Sequence, residues 1–121
     1  MAQGLTESLH ELQTSNGLEL AAVVGSDGLV VESASIPGVD AEEVCAMAAS
    51  GLLMMDALGR ALAGGSAHNA ILEFDGHTVM LAPLDDDNLV VLLAGGDANL
   101  GRMRIVLRRA MDKLREGLQN V

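Results

Sequence analysis

The run LELAAVVGSDGLVV, residues 18–31, decides the fold. Apolar residues fill Leu18 to Val24 and Leu29 to Ser33, and between them stands Gly25-Ser26-Asp27-Gly28. Glycine tolerates left-handed backbone and Asp bonds its own turn, so the four residues are a turn that folds the two runs back antiparallel. The stretch predicts a β-hairpin.

Outward from the hairpin, Leu5, Leu9 and Leu12 stand at helical spacing and Asn16-Gly17 supplies a helix end, which predicts a short amphipathic helix over residues 3–15. On the other side Ile36-Pro37-Gly38 breaks the chain. Asp40 followed by Glu43 has the spacing of an N-cap and its N3 partner, opening a long Ala- and Met-rich helix that Gly64-Gly65 stops. Strands are predicted at Ala70 to Phe74, Thr78 to Pro83 and Leu89 to Ala94, with Asp75-Gly76 and Asp85-Asp86-Asp87-Asn88 as the intervening turns. Asn99 can cap a last helix running to about Leu118, with Asp97 near its positive end. The order is α-β-β-α-β-β-β-α without repeats, read as one α/β domain over residues 1–121. Its five-stranded, largely antiparallel sheet should be covered on both faces.

A chain of 121 residues is large enough for one core without disulfides or metal. Half its residues are hydrophobic, yet Phe74 is the one aromatic, so ring stacking cannot carry a ligand or a nucleic-acid base. The formal charge of −10 argues against nucleic acid. It is unevenly spread: residues 1–101 sum to −14, with Arg60 as their only base, and residues 102–121 to +4. That basic segment reads as the flanks of a terminal helix whose bases pair with neighbouring carboxylates. With the lone Cys45, and no secretory or membrane-spanning run, a soluble cytoplasmic protein without membrane insertion is expected.

The central helix carries the functional signal. A helical wheel places Val44, Met47, Ala48, Gly51, Met55, Leu58 and Leu62 on one face, enough to cover a sheet. The opposite side should be charged, but it holds Cys45, Ala46, Ala49, Leu52, Leu53 and Ala57, relieved by Glu42, Asp56 and Arg60. A helix apolar nearly all round is buried on two sides, and in so small a chain the second cover is expected to be another subunit. In the last helix Leu100, Met103, Val106, Leu107, Ala110, Met111, Leu114 and Leu118 form one stripe. Arg104, Arg108 and Arg115 border it on one side, and Arg102, Arg109 and Lys113 on the other.

Catalytic signals are weak. No phosphate-loop motif exists, so the chain is not itself a GTPase, and the glycines of residues 95–101 lack dinucleotide-binding spacing and read as a turn and cap. His10, His68 and His77 have no metal-binding spacing, and no cofactor or metal is implied. Cys45 in an Ala-rich helix reads as a packing residue rather than a nucleophile.

The hairpin Val23 to Val31, the Ala-rich helix from Asp40 and the Asp97-Ala98-Asn99-Leu100-Gly101 start of the last helix, taken in that order, resemble the Roadblock/dynein-light-chain family over roughly Leu5 to Leu118. The resemblance implies a profilin-like α/β/α sandwich and a homodimer formed through the central helix, Asp40 to Ala63, and the strand after it, which includes Ile71 and Glu73. Bacterial members accompany small Ras-like GTPases, and some accelerate GTP hydrolysis by repositioning groups of the GTPase. Others are dynein light chains or scaffolds. The expected function is thus a non-catalytic homodimer that binds and regulates a small GTPase, with a small-molecule sensor or a scaffold subunit as alternatives.

Overall fold

The computed structural model describes residues 4–120 and forms the hairpin as its turn chemistry dictates. Strands β1 (Leu20–Gly25) and β2 (Val30–Ser35) pair antiparallel, with a register shift between Val23 and Val24. The Asp27 carboxylate accepts the Leu29 N–H at 3.0 Å, and Gly28 takes the left-handed φ of +88° that the turn requires. β1 begins later than the apolar run because Leu18 closes the preceding helix: its N–H bonds the Gln13 carbonyl at 2.9 Å and its carbonyl accepts Gln13 Nε2 at 2.7 Å.

That helix is α1 (Leu5–Ser15); the predicted start at residue 3 lies outside the described residues. α2 (Ala41–Ala61) is capped by Asp40, whose side chain accepts the Glu43 N–H at 3.1 Å. Strands β3 (Ala70–Glu73), β4 (His77–Pro83) and β5 (Asn88–Gly95) follow, and α3 (Leu100–Gln119) starts at Asn99, which accepts the Arg102 N–H at 2.9 Å.

The five strands form one antiparallel sheet in the order β2-β1-β5-β4-β3. The β1–β5 ladder, from Leu20 opposite Leu93 to Gly25 opposite Asn88, joins the first hairpin to the last three strands. Alternate residues feed two cores. On one face Ala21, Val23, Met80, Val90 and Leu92 pack under α1 and α3 through Leu9, Leu12, Met103, Leu107 and Leu114. On the other, Leu20, Ala22, Val24, Leu89 and Val91 pack under α2. Covering on both sides is why β1 and β5 are apolar without alternation.

Helices α1 and α3 pack tightly at Gly117, where a Cβ would stand 2.9 Å from the Leu5 Cα. The bases of α3 do not pair as expected. Among the described residues only Arg115 meets a carboxylate, Asp112 at 3.3 Å, while also bonding the Leu84 carbonyl at 3.0 Å. The expected pairing has to be corrected here: among the described residues no carboxylate lies within 4.0 Å of Arg102, Arg104, Arg108, Arg109 or Lys113, although Asp112 and Glu116 share the helix.

Candidate partner interface

α2 meets the sheet through Val44, Cys45, Ala48, Ala49, Leu52 and Met55. This differs from the wheel reading. Cys45 and Ala49, expected on the partner side, are buried against the sheet, and Leu52 is half-buried there. Met47, Leu58 and Leu62, expected to cover the sheet, are 71%, 59% and 70% exposed. Small side chains let the helix approach the strands closely, so Cys and Ala take the inner positions and the long residues are turned outward. When a helix is apolar all round, hydrophobicity alone cannot set its phase.

α2 does leave a large apolar surface outside its own sheet, on residues other than those the wheel gives. An 18-residue window of α2 has mean hydropathy 1.3, which by length and composition is apolar enough to cross a membrane, yet only 17% of it is buried within the chain. Its exposed surface has two parts. Met47, Met54, Leu58 and Leu62 form a flank on the β4 side, since Gly51 on that flank would bring a Cβ to 3.5 Å from Leu81. Ala46, Ser50, Leu53 and Ala57 form an outward ridge of mostly small side chains, with exposed Glu42 and Arg60 at its ends and half-buried Asp56 beside it.

The flank continues onto β3, an edge strand paired only with β4. Leu72 opposite Val79, and Phe74 beyond it, lie on the α2 side of the sheet and are 46% and 59% exposed. Ile71, expected at the partner surface, packs instead toward the α1/α3 core, and Glu73, exposed, shares its parity. The signal for Leu72 and Phe74 was strand parity: with Met80 in the α1/α3 core, its partner Ile71 belongs there too.

At the end of α2 the Gly64 N–H bonds the Gly59 carbonyl at 2.9 Å and the Ala63 N–H bonds the Arg60 carbonyl at 3.1 Å, a Schellman closure. Ala63, not a glycine, occupies its left-handed position with φ +51°. Burial pushes the Cys45 thiol from its ordinary 9.0 up to about 11, so at neutral pH it is a protonated packing group.

Residues 5–94 match the Roadblock/LC7 domain. The chain belongs to the Roadblock/LC7 family. An uncharacterized protein of Methanocaldococcus jannaschii is 35% identical over 109 residues, covering 88% of this chain and 93% of its own length. The Roadblock/LC7 architecture extends to solved structures. Myxococcus xanthus MglB superposes with a TM-score of 0.86 at 15% identity, covering 97% of this chain and 96% of its own. MglB in a tetrameric arrangement gives 0.86 at 18%, covering 96% and 88%. Acanthamoeba castellanii profilin IA gives 0.62 at 16%, covering 93% and 98%, so this Roadblock/LC7 chain has the profilin-like sandwich.

Proposed function

We propose that the protein is a non-catalytic cytoplasmic homodimer that binds and regulates a small Ras-like GTPase through α2. The observation that carries this reading is the doubly apolar α2: one face packs on its own sheet, and the other leaves Met47, Met54, Leu58 and Leu62 exposed beside Leu72 and Phe74. A two-fold pairing that sets these flanks and the β3 edges together would bury both and complete the open sheet edge. Membership of the Roadblock/LC7 family supports such pairing, and MglB, a structural relative, occurs in a tetrameric arrangement.

Pairing through the flanks would leave the two ridges side by side as a shared, nearly flat surface. Small side chains at Ala46, Ser50 and Ala57 let another protein approach closely, Leu53 is the apolar anchor, and Glu42, Asp56 and Arg60 provide the polar border. The regulatory role follows from the family resemblance. With Cys45 buried and its thiol held protonated, a cysteine-dependent enzyme is the weaker reading.

The test is a pair of charge reversals, Asp56→Lys and Arg60→Glu, in a protein whose dimer mass is checked. Loss of affinity for the GTPase encoded nearest to this chain supports ridge docking. Unchanged affinity in these variants, with loss in Arg108→Glu/Arg109→Glu, moves the site to α3.

A further inference from the structure

On the opposite side of the sheet, α1 and α3 meet tightly at Gly117 and Leu5, and a groove that the α2 reading does not use runs along the rest of their seam. Its first half, about 200 Å³, lies between Ser8 and Leu12 of α1 and Ala110 and Lys113 of α3. The second, about 280 Å³, continues past Leu18 and Met103 to Asn99, and the halves share Asn16 and Val106.

Ser8, only 6% exposed, lies beneath the groove, its Oγ closed to solvent and without a hydrogen-bond partner among the described residues. The feature that marks the groove is its charge. Arg102, Arg109 and Lys113 line its α3 side with no carboxylate within 4.0 Å among the described residues, on a chain whose formal charge is −10. The carboxylates along the groove are Glu11 in the first half and Asp97 in the second.

We propose that this α1/α3 seam is a second docking groove, occupied by an acidic amphipathic segment of a partner protein. The apolar floor of Leu12, Val106, Ala110 and Leu114 would take its apolar side chains and the three bases its carboxylates. α3 from Asn99 to Lys113 spans about 21 Å at ~1.5 Å per residue, an elongated seam that suits a chain segment better than a compact metabolite. A flat anionic membrane would reach the three bases but not the apolar floor between the helices, which the side chains of a docked segment can enter.

The proposal is independent of the α2 reading and is tested on the full chain. The probe is a fluorescein-labelled helical peptide of about 15 residues, with Leu placed to face Val106 and Ala110 and Glu to face Arg102, Arg109 and Lys113. A scrambled peptide of the same composition and vesicles of phosphatidylserine with phosphatidylcholine are run beside it. The patterned peptide should bind at least about tenfold more tightly than the scrambled one, and weaken about tenfold in Arg109→Glu/Lys113→Glu. It should weaken similarly in Ala110→Leu, which fills the groove at a half-buried position without touching its charge, while circular dichroism and dimer mass stay unchanged. Equal binding of both peptides, indifference to both variants, or tighter basic-residue-dependent binding to the vesicles overturns the proposal.

Discussion

Met54→Glu places a carboxylate at the centre of the exposed α2 flank, where Met54 is 76% exposed in the protomer. Glu is a good helix former, so the folded protomer should tolerate it. The six flank and edge side chains keep between 46% and 76% of their surface exposed, equivalent to roughly four large side chains at ~1.5–3 kcal/mol each. Doubled by two-fold symmetry, that gives about 12–24 kcal/mol gross against ~4–15 kcal/mol for association, enough for a dimer at micromolar concentration. The substitution removes about 2 kcal/mol of burial per protomer and sets two unpaired carboxylates in the seam, each costing several kcal/mol. The expected net loss exceeds ~4 kcal/mol, or about a thousandfold in Kd. Sedimentation equilibrium should find twice 12.5 kDa for the parent and 12.5 kDa for the variant, which keeps a cooperative thermal transition at a midpoint lowered by the lost association. A variant still dimeric at low micromolar concentration would refute the reasoning about the flank, and one that is monomeric because it has unfolded would betray itself by the lost midpoint.

The Cys45 thiol is raised in the folded state, so its contribution to stability is present below the unfolded value near 9.0 and is lost as pH rises toward about 11. Denaturant midpoints should fall through that window in the parent and fall less in Cys45→Ala, measured relative to each protein's value at neutral pH. Ala63→Gly relieves a left-handed alanine at the α2 C-terminus and should raise stability by up to about 1 kcal/mol, read as a higher denaturation midpoint at unchanged slope. Gly117→Ala sets a Cβ 2.9 Å from the Leu5 Cα and should cost ~1–3 kcal/mol while leaving self-association intact, measured by urea denaturation and sedimentation together.

The parts of the fold written in local chemistry were readable from residues alone. Asp40 and Asn99 cap the helices they were expected to cap, and Gly25-Ser26-Asp27-Gly28 makes the first hairpin. What the sequence left open were relations between distant segments. Nothing local to Leu20 or Leu93 states that β1 lies beside β5. The phase of α2 was misread for a related reason: Cys45 and Met47 are both apolar, and what assigns Cys45 inward is the distance between helix and sheet, set by Ala48, Ala49 and the strands below. The resemblance offers Ile71 and Glu73 with the strand as a whole, and alternation of faces along β3 is what sets Leu72 and Phe74 on the α2 side. That Arg102, Arg104, Arg108, Arg109 and Lys113 find no carboxylate among the described residues is likewise invisible until the helix has neighbours.

The central claim is that α2 presents a ridge to a small GTPase while its flank holds the dimer together. Calorimetric titration of the dimer with the GTPase encoded nearest to this chain, loaded in turn with GDP and a non-hydrolysable GTP analogue, tests it most directly when repeated with Leu53→Glu. The account predicts binding that depends on the nucleotide and is lost in Leu53→Glu while the mass stays at twice 12.5 kDa. Absence of binding in both nucleotide states, or binding undisturbed by Leu53→Glu, would contradict it.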